Sequence, residues 1–283
     1  MATLTLIGGK ADWRAPDFAS GDWVHVLPAS ERDDIRAGSY TLPSLVGLMD
    51  GRGFALVRGI PLDGALDGAL DGALDGPLSG GAEAVALGVA ANLGGLVPQG
   101  DAPLVHVRDA GADPALATTR SYQHSARLSY HADPTDVVGL LCVRPAAVGG
   151  QSCVVSSVAV HDEVVRTRPD LARVLYEPLR HSGPGGSFDS PVYRPGGVVS
   201  YAPDYIRAAA QDLSPAQREA LELLDTLHHD PRFVLTMDLR PGDMQFLDNR
   251  LVVHGRTAFR DDPSAPRDLI RVWLSAAPPA TGC

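Results

Sequence analysis

The sequence predicts a mainly β fold with surrounding helices, built on a double-stranded β-helix (jelly-roll) core. Three observations lead there. From Leu104 onward, short β-rich runs alternate with turns, and helical patterns are scattered between them. No GxGxxG follows a strand and no phosphate-binding P-loop occurs, which removes the nucleotide-binding parallel sheets. At 283 residues with 45% apolar content, the chain can bury one large core, so residues 1–283 are expected to form one domain.

The elements follow in order. Residues 1–60 are expected to layer around the core. Ser44–Met49 has a helical look, and Gly53–Pro61 reads as a strand closed by glycine and proline. Leu62–Gly80 is a tandem Leu-Asp-Gly-Ala repeat. Its four-residue period is near a helical turn, but a glycine in each unit costs about 1 kcal/mol relative to alanine. Asp-Gly pairs favour turns. The repeat is therefore expected to be an irregular surface insertion without chemistry, and it lacks the second acidic residue per unit that a calcium-binding repeat would need.

Residues 82–96 return to a helical pattern ending in paired glycines. Val137–Val143 and Cys153–Val160 are β-rich, whereas Val160–Leu175 and Pro215–His228 read as amphipathic helices. The last third is again strand-like at Phe233–Met237, Met244–Leu247, Leu251–His254 and Leu269–Ser275. This rhythm is that of a cupin-like barrel.

A net charge of −10 argues against a nucleic-acid or anionic-membrane partner. Cys142, Cys153 and Cys283 are odd in number and form no CxxC, so neither a disulfide framework nor a zinc ribbon is expected. The N-terminus lacks a signal-peptide pattern, and no apolar run reaches the roughly 18 residues a membrane span needs. A cytoplasmic protein with a small-molecule partner fits these features, and a homo-oligomer is compatible with them.

The chemistry centres on His131-Ala132-Asp133, with His254 far downstream and Arg267 beyond it. Singly, His131 reads as a polar barrel-rim residue and His254 as a satisfied core histidine. As a set, two imidazoles and one carboxylate match the facial triad that holds Fe(II) and leaves three positions open. Residues i and i+2 of a strand share a face, so a strand running through His131 and Asp133 would aim both at one metal. His228-His229 closes a helix and reads as a solvated cap. His25, His106, His161 and His181 have no acidic partner at ligand spacing, and His124 lies on the approach to the metal strand as a candidate substrate neighbour.

Four segments carry a family resemblance: Tyr130-His131-Ala132-Asp133; Gly149-Gly150-Gln151-Ser152; Asn249 through Thr257; and Arg267 through Leu274. Through them the sequence resembles the TauD/TfdA family of Fe(II)/2-oxoglutarate-dependent dioxygenases, with clavaminate synthase-like enzymes among its members. The resemblance implies His131, Asp133 and His254 as iron ligands. It also implies Arg267 and Ser152 as partners of the distal carboxylate of 2-oxoglutarate, and Arg271 as a contact for an anionic substrate group. The implied co-substrates are 2-oxoglutarate and O2, and the implied reaction is hydroxylation of an unactivated carbon. Desaturation, epoxidation or ring closure would start from the same hydrogen abstraction. Halogenating relatives replace the carboxylate at the Asp133 position with a small residue, so its presence points to oxygenation.

Tyr122, Gln123, Ser125, Arg127 and Arg194 flank the metal strand or the central loops and are the expected substrate-facing residues. Two other classes use part of this pattern. A jelly-roll metal sensor would need no dicarboxylate clamp, and a cofactor-free extradiol-type dioxygenase would not depend on 2-oxoglutarate.

Overall fold

The computed structural model describes residues 5–18, 21, 23–62, 81–113, 121–183 and 186–276. The Leu-Asp-Gly-Ala insertion, apart from Leu62, lies outside the described residues, as does Cys283. Fifteen strands are present among the described residues. Those preceding the first metal-ligand candidate are β1 (Val24–Val26), β2 (Phe54–Arg58), β3 (Gly95–Val97) and β4 (Leu104–Val107), and β5 (Leu128–His131) carries it. Then come β6 (Val137–Arg144), β7 (Val148–Gly149), β8 (Ser152–Ser156), β9 (Leu179–Gly183) and β10 (Gly186–Ser190). The last are β11 (Val234–Met237), β12 (Met244–Asp248), β13 (Val252–Arg256), β14 (Phe259–Arg260) and β15 (Asp268–Ser275).

Two sheets form the core. The larger has the order β1-β2-β12-β6-β15-β3, with β4 also on β15, and the smaller has the order β11-β8-β13-β5. Strand alternation sorts each strand's residues between layers. Phe54, Val138 and Leu247 of the large sheet pack with Val154, Leu235, Met237 and Val252 of the small sheet, filling the space between them. Their neighbours face outward. Leu141, Met244, Phe246, Ile270 and Val272 pack against the helix Ala82–Ala90. Cys153, Val155 and Val253 pack against the helices Ser157–Thr167, Pro169–Val174 and Pro215–His228. The β-sandwich with flanking helices is the expected fold class, and β1 and β2 extend the large sheet rather than merely covering it.

Several boundaries differ from the sequence expectation. The apolar run Cys153–Val160 is strand only to Ser156, whose hydroxyl accepts the Ala159 N–H at 2.9 Å and caps a helix that begins at Ser157. The helix expected over Val160–Leu175 is two helices, separated where Pro169 cannot continue the first. The helix at 82–96 stops at Ala90; the Asn92 amide donates to the Val89 and Tyr40 carbonyls, and Gly95 begins a strand on β15. Ser44–Met49 is a short 3-10 turn followed by turns. Pro215–His228 matches its expected bounds, with Ser214 and Gln217 forming a reciprocal cap.

Candidate metal centre

His131 and His254 arrive on adjacent strands. β5 and β13 are antiparallel with His254 directly across from His131, and the two rings are 4.4 Å apart at their centroids. Below that pair, Arg256 faces Leu128, so β13 advances two residues while β5 advances three, a bulge on β5. His254 lies within β13 rather than at its end.

Asp133 reaches the site differently from the sequence expectation. β5 ends at His131, and Asp133 comes from the turn that follows. Backbone and side-chain bonds hold this turn. The Ala132 N–H donates to the Tyr201 carbonyl at 2.8 Å, and the Asp133 N–H donates to Asn249 Oδ1 at 3.3 Å. Asn249 Nδ2 in turn donates to the Thr135 carbonyl at 3.1 Å.

The candidate ligand atoms of His131, Asp133 and His254 all lie within 4.8 Å of one another. The histidine Nε2 atoms are 3.8 and 3.9 Å from the Asp133 carboxylate oxygens. His131 Nδ1 is 2.9 Å from the Ser129 carbonyl, which can only accept, so Nδ1 carries the proton and the Nε2 lone pair is free to ligate. Burial, helped by His131, pushes the His254 pKa down to about 3 and keeps that ring neutral. Burial pushes the Asp133 carboxyl up, but Arg271 and both histidines outweigh it, so the group sits below its ordinary value and stays charged. Two imidazoles and one carboxylate converging on one point fit a divalent transition metal with an open face.

Cations line the other walls. On β15, Leu269, Arg271 and Trp273 alternate toward the inter-sheet space while Ile270, Val272 and Leu274 face away. Arg271 Nη1 is 3.4 Å from Asp133 Oδ2, and Trp273 Nε1 donates to the same oxygen at 3.3 Å. Arg271 Nε donates to Gln99 at 2.8 Å, and its guanidinium sits over the rings of Tyr122 and Trp273. Its charge is thus partly committed to the candidate ligand. Arg267 is 5% exposed, lies over the Phe259 ring and makes no ion pair among the described residues. Burial lowers its pKa. Ser152 is buried and donates its hydroxyl hydrogen to Gln245 Oε1 at 2.8 Å.

A cavity of about 940 Å³ connects these groups; His131, Asp133, His254, Ser152, Arg267 and Arg271 all line it. Tyr122 and Arg194 are on its wall, whereas Gln123, Ser125 and Arg127 are not. Ser125 instead accepts the Phe259 N–H through its carbonyl, Gln123 accepts the Ala110 N–H, and Arg127 is exposed. The sequence reading missed Arg256 as a site residue. It is 5% exposed, lines the same cavity, and has its pKa lowered to about 10 by burial and by Arg267. Its signal was its position two residues after His254 on one strand.

Other histidines also differ from expectation. His228 is no solvated cap: it is buried against Tyr130 and Tyr201, and burial, then His229, lower its pKa to about 3. His106 meets Asp268 at 2.8 Å and Glu83 at 3.1 Å, and His161 meets Asp162 at 2.8 Å. His124 lies off the cavity wall and contributes its carbonyl to Arg256.

The chain matches the family described as taurine catabolism dioxygenase TauD, TfdA family, over residues 34–273. It is 28% identical to FR-33289 synthase of Streptomyces rubellomurinus (strain ATCC 31215) over 317 aligned positions, covering 95% of this chain and 90% of that protein. It is 32% identical to a uridine-5'-phosphate dioxygenase of an Amycolatopsis species over 155 positions, covering 50% and 56% of the two chains. Among solved structures, asparagine oxygenase in complex with Fe(II), 2S,3S-3-hydroxyasparagine and succinate superposes with a TM-score of 0.60 at 22% identity, covering 88% of this chain and 80% of that one. The non-heme iron oxygenase OrfP, with Fe, succinate and (3R,4R)-dihydroxy-L-Arg, does so with a TM-score of 0.63 at 17% identity, covering 90% and 94%. These structural likenesses establish the shared fold. With a family match that spans most of its length, the chain belongs to the TauD/TfdA family of dioxygenases.

Proposed function

We propose that this protein is an Fe(II)- and 2-oxoglutarate-dependent oxygenase that hydroxylates an unactivated C–H of a small amino-acid-like or specialised-metabolism substrate. One observation carries the reading: His131, Asp133 and His254 converge within 4.8 Å on a cavity whose wall also holds Arg267, a buried cation that makes no ion pair among the described residues. His131, Asp133 and His254 would hold the iron, and residues 1–283 would act as one catalytic domain. The bound iron, with 2-oxoglutarate and O2, supplies oxidative decarboxylation to succinate and CO2 coupled to oxygenation of the substrate.

The chain's own residues orient and shield the reactants. Arg267 would take the distal carboxylate through its planar fork, leaving the keto-acid end to face the metal. Arg271 and Trp273 fix the Asp133 carboxylate. The cavity is large enough for a five-carbon dicarboxylate and a small metabolite together. Tyr122 and Arg194 line the cavity, which supports them as residues that would meet that metabolite. The molecules held by the similar solved structures, hydroxyasparagine and dihydroxyarginine, are amino acids, which supports an amino-acid-like substrate. No helix among the described residues is long and apolar enough to cross a membrane, and cytoplasmic action is part of the proposal.

Anaerobic addition of Fe(II) and 2-oxoglutarate is expected to give a weak visible charge-transfer band, and aerobic incubation with a metabolite panel is expected to give substrate-stimulated succinate by mass spectrometry. Both should vanish in His131→Ala. Full succinate production by that variant would overturn the assignment.

A further inference from the structure

Arg256 stands on the cavity wall with more positive charge than the metal centre explains. Alternation along β13 places Val252, His254 and Arg256 on the face toward the inter-sheet space, while Val253 packs outward. The side chain is 5% exposed. Its Nη2 donates to the His124 and Ala126 carbonyls at 2.7 and 2.6 Å, clipping that backbone beside the cavity. Its Nε and Nη1 are buried with no hydrogen-bond partner among the described residues. The guanidinium lies 4.5 Å from the Phe259 centroid, and that of Arg267 lies 5.1 Å from the same centroid.

Neither arginine makes an ion pair among the described residues, whereas Arg58 on β2 and Arg108 just after β4 each meet a carboxylate within 2.8 Å. Two buried like charges sharing one ring are unfavourable unless an anion joins them. A site for a single carboxylate needs one guanidinium, so the second calls for an added role. We propose that Arg256 is the second cation of the co-substrate site, adding its charge to that of Arg267 at the distal carboxylate while its Nη2 ties the 124–126 backbone to the same wall. The arrival of the dianion thus relieves the repulsion and secures the segment that approaches β5. The inference rests on reading the cavity as a 2-oxo acid site.

The test compares 2-oxoglutarate with 2-oxopentanoate, which has the same chain length and keto-acid end but no distal carboxylate. Each is titrated anaerobically into the Fe(II)-loaded protein, read by the charge-transfer band and by calorimetry. The preference ratio cancels any general loosening that affects both ligands. In Arg256→Gln, which keeps an amide to reach the clipped carbonyls, the ratio should fall by roughly tenfold or more, as expected for one partly screened charge. Arg256→Met serves as a second neutral variant and should fall likewise. Arg256→Lys keeps the charge and should hold the ratio within about threefold of wild type.

An unchanged ratio in the neutral variants, with both ligands weakened equally, would make Arg256 a structural clip only and overturn the proposal. A collapsed ratio in the lysine variant would overturn it too, since charge would not be what acts. If the wild type itself shows no preference for 2-oxoglutarate, the underlying reading of the cavity fails instead, and the two failures are separate.

Discussion

The Ser152–Gln245 bond gives the sharpest test of how the site is built. Ser152 on β8 and Gln245 on β12 face each other across the inter-sheet space, 2.8 Å apart, at 7% and 0% exposure. A hydroxyl has one hydrogen, and here Gln245 Oε1 takes it, so Ser152 cannot donate to a carboxylate without releasing that acceptor. Ser152→Ala should leave the acceptor buried and unpaired, at a cost of about 1–3 kcal/mol. At roughly 2–4 °C per kcal/mol for a chain near this size, melting should drop by about 2–12 °C. Far-UV circular dichroism of the metal-free protein reads this directly. The double variant Ser152→Ala/Gln245→Leu removes both polar groups, and its loss should be smaller than the two single losses added, by about 1 kcal/mol. If Ser152→Ala melts with the wild type yet binds 2-oxoglutarate over tenfold more weakly, the reasoning is refuted. The hydroxyl would then belong to the co-substrate.

Two further outcomes follow from local geometry. His228 titrates near 3 in the folded chain and near 6.5 when unfolded, so as pH falls below about 6.5 the unfolded chain takes up a proton that the folded one refuses, and stability declines. His228→Phe should flatten that decline between pH 6 and 4 by as much as about 1.4 kcal/mol per pH unit, measured by urea midpoints; parallel profiles would count against a buried neutral ring. Gly149 has a φ of +72°, and a Cβ there would stand 2.2 Å from the Ala258 carbonyl oxygen. Gly149→Ala should therefore cost at least about 2 kcal/mol in thermal unfolding, and a variant as stable as wild type would show that the turn relaxes freely.

What the sequence made legible tracks how locally each feature is determined. Strands β6 and β12 and the helix Pro215–His228 have consistent periodicity and clear end signals, and they form where expected. Cys153–Val160 could not be resolved by apolar content, because a run of that length suits a strand or a buried helix, and the Ser156 cap decides between them. His106 appeared without acidic partners because Asp268 is 162 residues away and meets it only through the pairing of β4 with β15. His228 looked like a polar cap, but the helix docks its last turn against Tyr201, and burial outweighs the end effect. The His131–Asp133 pairing was anticipated for a reason the structure replaces: a bonded turn, not strand alternation, aims the carboxylate.

The segment His254-Gly255-Arg256 shows why a short motif can specify a site built from distant strands. His254 and Arg256 need the same face of β13, and only the intervening residue can face away. That residue is glycine, and a Cβ there would stand 2.8 Å from the Leu128 carbonyl oxygen and 3.4 Å from Tyr130. Any side chain at Gly255 would push β5 outward. β5 carries His131, whose ring lies 4.4 Å from that of His254, so a shift of β5 would part the two candidate ligands. The bulge on β5 falls at this same place, absorbing the extra residue between Leu128 and His131. Glycine therefore sets the spacing of the two histidines while the flanking residues supply a candidate ligand and a cation. Each of the three constrains the other two through the position of the neighbouring strand.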